Sequence, residues 1–143
     1  MGADTFSDDE KAAMKAASTE AKRRRSTRKE ELAAADRAAC EEAIAAMEPD
    51  DRALAERVHG IVADVAPELA PKTWYGMPAY ARDGKVVVFF KPAHKFKSRY
   101  ATLGFEERAT LDAGSFWPTS YAVTAIDDEV AASIEEMVRR AMG

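Results

Sequence analysis

The chain has 143 residues, 47% apolar and 32% charged, which is enough for one domain with a buried core and a charged surface. Its net charge of −4 argues against a surface given over wholly to nucleic acid. The single cysteine, Cys40, excludes an intramolecular disulfide and a cysteine-rich metal site. No run approaches the ~18 apolar residues of a membrane helix. The charged N-terminus lacks the apolar core of a signal peptide, so a reduced, cytoplasmic location is expected.

Residues 1–5 are expected to be loose. Ser7-Asp8-Asp9-Glu10 has the spacing of a capping box and opens a helix rich in Ala, Lys, Met and Glu but weakly amphipathic. Lys22 to Lys29 holds six basic residues in eight. It reads either as a contact for an anionic ligand or nucleic acid, with Arg23–Arg25 able to assist Lys72, Lys95, Lys97 and Arg99, or as a solvated helix end or hinge. No aromatic interleaves with it, which favours the solvated end. A second helix is expected over Glu30–Met47, with Leu32, Ala33, Cys40, Ile44 and Met47 on one face and Asp36 interrupting it. Cys40 reads as a buried, inert thiol.

Pro49 breaks the pattern, and Asp50 is placed to cap a third helix. Leu54, Val58, Ile61, Val62 and Val65 give that helix one apolar face, with His59 beside it, before Pro67 ends it. From Thr73 the residues turn β-branched and aromatic. Both tryptophans, all four tyrosines and five of six phenylalanines fall within residues 71–121, so this stretch holds the sheet. Strands are expected at Thr73–Tyr75 and Ala79–Arg82, with a bend at Gly76-Met77-Pro78 between them. Asp83-Gly84 signals a tight hairpin into the apolar run Lys85–Phe90, a central strand buried on both faces. Phe96–Leu103 alternates and reads as the next antiparallel strand. One or two helical turns are expected near Glu106–Leu111. Phe116–Ala125 returns to strand, and Asp127 caps a last helix with the stripe Val130, Ile134, Met137, Val138 and Ala141.

The fold class that follows is α+β: N-terminal helices, a small, mainly antiparallel sheet of four to five strands, and one C-terminal helix. Residues 1–30 form a helical extension and residues 31–143 the α/β domain.

Motifs of catalysis are missing. There is no P-loop, no dinucleotide fingerprint, no H-E-x-x-H and no nucleophile elbow, so the protein is read as not an enzyme. Two constellations remain. Glu41, Glu42, Glu48, Asp50, Asp51 and Glu56 surround the turn before the third helix and offer oxygen ligands to a hard cation, or are solvated helix-end acids. Trp74, Tyr75, Met77, Tyr80, Phe116, Trp117 and Tyr121 line either a pocket or a core, with Lys72, Lys95, Lys97 and Arg99 as cations for an anionic ligand. Most of the ring area, Trp74 and Trp117 included, is expected in the core, with the phenolic and indole polar atoms reaching the surface.

The string Trp74-Tyr75-Gly76-Met77-Pro78-Ala79-Tyr80 is followed by Asp83-Gly84-Lys85-Val86 and Phe89-Phe90. Further on come Phe96-Lys97-Ser98-Arg99-Tyr100-Ala101-Thr102-Leu103-Gly104-Phe105 and Trp117-Pro118-Thr119. Over residues 45–142 the chain resembles the YdhG-like family of bacterial proteins of largely unknown function. The resemblance implies a frataxin-like α/β sandwich. It also implies an iron-binding role, iron being the cofactor or cargo, handed to iron–sulfur or haem assembly proteins through exposed carboxylates. Those acids are not matched residue by residue here; Glu41–Glu56 are the nearest equivalents. The Gly-Met-Pro string also resembles one in the MmcQ and YjbR-like proteins, associated with DNA binding, which keeps Lys22–Lys29 in view.

Overall fold

The structure is a computed structural model and describes residues 7–143; the expectation for residues 1–5 lies outside them. The first helix, α1, spans Asp8–Ala45, where two helices were expected. Nothing in the basic run breaks it: Ser26 and Thr27 are the only poor formers there, and neither Gly nor Pro occurs between Asp8 and Glu48. At its start the Glu10 N–H donates to Ser7 Oγ, and the Ser7 hydroxyl donates to the Glu10 carboxylate. Two compact units divide the chain, residues 1–34 and Ala35–Gly143.

In the second unit the end of α1 is followed by α2 (Pro49–Val65), five strands and α3 (Asp128–Ala141). The strands are β1 (Ala70–Trp74), β2 (Met77–Arg82), β3 (Lys85–Lys91), β4 (Ala101–Phe105) and β5 (Ser120–Val123). They form one antiparallel meander in the order β1-β2-β3-β4-β5. The fold class is therefore α+β, with helices first and last in the chain.

The helices bury their apolar stripes on one face of this sheet. Cys40 and Ile44 from α1, Ala55, Val58, Ile61 and Val62 from α2, and Ala131, Ile134 and Val138 from α3 join one core with Tyr80, Val88, Phe90, Leu103 and Phe105. Pairing register explains which strand residues face inward. Pro71, Tyr80, Val88 and Phe105 lie in one cross-strand row, and Lys72, Ala79, Phe89 and Gly104 in the next, on the opposite face. A bulge at Tyr80/Ala81 adds one residue to β3, so consecutive Val87 and Val88 are both buried in the core.

Several boundaries differ from expectation. The β1–β2 turn is Tyr75-Gly76, both at positive φ (52° and 76°), as a two-residue hairpin of the primed type demands. Met77 and Pro78 are already in β2, and pairing with β3 starts only at Ala79, one residue beyond the proline that lacks an N–H. Asp83 and Gly84 (φ 52° and 78°) form the expected hairpin.

Helix α2 starts at Pro49, with Glu48 rather than Asp50 at the cap position and no side-chain capping bond. The alternation from Phe96 is misleading: β4 starts at Ala101, because Lys97 N–H bonds His94 O and Ser98 N–H bonds Ala93 O in a loop. No helical turn forms at Glu106–Leu111. There, the Thr110 N–H and hydroxyl donate to the last carbonyls of α3 at Arg140 and Ala141, satisfying an otherwise open helix end. Asp127 caps α3 as expected, accepting the Val130 N–H at 2.8 Å.

Candidate functional site

The buried carboxylate Asp51 organises one end of the second unit. It stands in the first turn of α2, 3% exposed, and is the one buried charged residue among those described. Its two oxygens accept the backbone N–H groups of Ala93 (3.2 Å) and His94 (2.9 Å). The helix terminus favours a negative charge there, and charge-assisted bonds to amides are among the stronger kinds. Asp51 thereby fixes the loop between β3 and β4.

That loop is basic. Between Asp83 and Glu106 the chain carries Lys85, Lys91, Lys95, Lys97 and Arg99 and no carboxylate, in a protein whose net charge is −4. Lys91 and Lys95 lie 5.3 and 5.7 Å from the Phe96 ring centroid, and Arg99 lies 5.1 Å from that of Tyr100. Lys97 holds a positive φ of 54°, which side-chain-bearing residues seldom adopt.

The Lys95 ammonium donates to Gly76 O at 2.9 Å and so ties the loop to the β1–β2 turn. A Cβ at Gly76 would displace that ammonium, and the positive φ of 76° favours glycine there. Next to Gly76, Tyr75 is 80% exposed on strained backbone, its ring edge-on to Trp74 at 4.9 Å. Trp74 packs in turn on Phe89 at 5.3 Å, and Phe89 covers Gly104 across the strand pair. A groove of about 420 Å³ opens beside the turn, lined by Met47, Glu48, Asp51, Gly76, Pro92, His94 and Lys95. A shallower one of about 530 Å³ crosses the outer sheet face between Lys72, Trp74, Lys85 and Arg108.

Of the residues expected to bind a ligand, Trp74, Tyr75 and Lys95 are brought together, with Lys97 and Arg99 on the same loop and Lys72 and Met77 on the outer face. Tyr80 and Trp117 are not among them. Tyr80 faces the core, where its hydroxyl contacts His59 Nδ1 at 2.9 Å, and Cys40 is buried in the same core. Trp117 precedes β5 and packs on the core at the opposite sheet edge from Trp74, so the tryptophans cannot share a pocket. Both rings are half-buried, Trp117 against the core and Trp74 against Phe89, whereas Phe116 is 93% exposed, against the expectation of core.

The expected cation ligands do not converge on one point: Glu41 and Glu56 line one groove with His59, and Glu48 and Asp51 another. Asp51 is occupied by two amides. Glu41 lies 3.9 Å from His59 Nε2, and Glu56 3.9 Å from Arg52. Glu42, Glu48 and Asp50 are exposed. Among the described residues no three His, Cys, Asp or Glu side chains converge in a manner fit for a metal ion.

Sequence reasoning missed the network Cys40–Tyr80–His59–Glu41, whose members are distant in the chain. Burial pushes the Cys40 thiol and the Tyr80 phenol up and pulls the His59 imidazole down, while nearby Glu41 acts on His59 in the opposite sense. The buried Tyr80 hydroxyl is satisfied by the His59 ring nitrogen, as a core requires. No described helix is long and apolar enough to cross a membrane. No protein-family model, curated protein or solved structure matches the chain.

Proposed function

We propose that the unit Ala35–Gly143 is a non-catalytic, cytoplasmic binding module for a small anionic ligand, held where the Tyr75-Gly76 turn meets the loop Lys91–Tyr100. The observation that carries this reading is the Lys95–Gly76 hydrogen bond, which sets an exposed aromatic ring beside a carboxylate-free basic loop. Three features support it. Asp51 holds the loop in place before any ligand arrives, which lowers the ordering cost of binding. Strained backbone at Tyr75 and Lys97 is the kind that collects at ligand sites. The neighbouring groove has the size of a small-molecule pocket.

The cations recognise the negative group, and the Tyr75 ring offers a flat surface to an apolar or planar body. Membership of the YdhG-like family, with its frataxin-like sandwich, is part of the proposal and rests on the Trp74–Tyr80 string. The iron role has that resemblance alone behind it.

Calorimetric titration of the whole protein with inorganic pyrophosphate and with adenosine monophosphate tests the reading. Binding is expected to weaken with salt and to be lost in the Lys95→Ala, Lys97→Ala double variant. The monophosphate should gain affinity through Tyr75 and lose that gain in Tyr75→Ala. Absence of binding by either probe at low salt would contradict the proposal.

A further inference from the structure

The basic run lies in the other unit, on the part of α1 before Ala35, and has no part in the proposed small-ligand site. Lys15, Lys22, Arg25 and Lys29 follow one another at intervals of seven, three and four residues, the spacing of a single helix face. At 1.5 Å per residue this row is about 21 Å long. Arg28 flanks this row, while Arg23 and Arg24 stand about 100° and 200° round the helix from Lys22, and all seven side chains are exposed. From Lys15 to Lys29 the only acid is Glu20, which accepts a hydrogen bond from Arg24 at 2.7 Å. This segment is therefore strongly cationic within a protein of net charge −4.

Such a face needs a polyanion, and the rest of the helix narrows which one. An anionic bilayer surface calls for an apolar face opposite the charges, yet Met14 and Leu32 are the only large apolar side chains between Asp8 and Ala35. Single-stranded nucleic acid calls for aromatic stacking platforms, and α1 contains no aromatic residue. A duplex needs only phosphate contacts from a helix of the width the B-form major groove admits; the narrow major groove of duplex RNA does not admit one. The chain contains no Asn or Gln, the residues that pair with adenine edges, so contact would be to phosphates irrespective of sequence.

We infer that the basic face of α1 between Lys15 and Lys29 is a sequence-independent binding surface for duplex DNA. This is independent of the small-ligand site in the second unit.

The test is fluorescence anisotropy of a labelled duplex with the full chain, across a salt series. Binding is expected at 50 mM salt and should weaken linearly in log salt. Neutralising three contacts in Lys22→Gln, Arg25→Gln, Lys29→Gln should reduce the slope by about 3 and the affinity at least about tenfold. Gln keeps helix propensity, and circular dichroism checks that the helix persists. Glu20→Gln removes the one acid between Lys15 and Lys29 and should tighten binding, a gain that misfolding cannot produce. The Lys95→Ala, Lys97→Ala variant should bind duplex as the parent does. The inference is overturned by no duplex binding at 50 mM salt or by an unchanged triple variant. It is equally overturned by loss in the Lys95/Lys97 variant, or by tighter binding to single strands or to phosphatidylserine vesicles.

Discussion

Replacing Asp51 by Ala removes the acceptor of two backbone N–H groups without touching the loop itself. A hydrogen bond to a charged group contributes a net ~1.5–3 kcal/mol. The longer of the two, 3.2 Å to Ala93, falls at the weak end, and His94 is exposed enough for water to replace part of its bond. A loss of about 3 kcal/mol follows for Asp51→Ala. Asp51→Asn keeps one acceptor oxygen but no charge, and should lose about 1–2 kcal/mol. Urea titration measures both, and amide exchange at Ala93 and His94 should quicken in parallel. An Asp51→Ala loss below about 1 kcal/mol, with exchange unchanged at both amides, would refute the idea that this carboxylate holds the loop.

Gly104→Ala drives a methyl into the Phe89 ring and should cost about 1–3 kcal/mol by overpacking, with Trp74 emission shifting as its neighbour moves. Phe116→Ala should change stability by less than about 0.5 kcal/mol in the same titration, since the ring is 93% exposed. The pH dependence follows from His59, whose folded-state pKa is lowered by burial. The unfolded chain then binds the extra proton first, so stability falls as pH drops below the ordinary imidazole pKa of ~6.5 and levels off below the folded value. His59→Gln should flatten that part of the stability profile; an unchanged decline would assign it to other groups.

Much of this architecture is legible in the sequence because the stripes of α2 and α3 each follow a single helical period. Asp83-Gly84 is likewise legible, because a two-residue turn needs positive φ at both positions and those residue types tolerate it. Tyr75-Gly76 makes the same kind of turn, but a tyrosine does not advertise positive φ, so the bend is expected one residue late, at Gly76-Met77-Pro78. The Phe96–Leu103 alternation failed since period alone does not report that Asp51, over forty residues earlier, claims the amides of the loop. The aromatic set is visible as composition, yet only strand order reveals that β1 and β5 lie four strand spacings apart, about 19 Å, and divide it. One signal for the site was available: no carboxylate stands between Asp83 and Glu106, while five Lys and Arg do.

The most direct test of the central claim is an amide NMR titration of the whole protein with inorganic pyrophosphate, with anaerobic ferrous iron in a second arm. The account predicts saturable shifts at Gly76 and at His94 to Arg99 with pyrophosphate, and no saturable site around Glu41–Glu56 with iron. Pyrophosphate shifts absent from that loop, with selective iron broadening centred on Glu41, Glu48 and Asp50, would contradict it and return the protein to the metal-carrier reading.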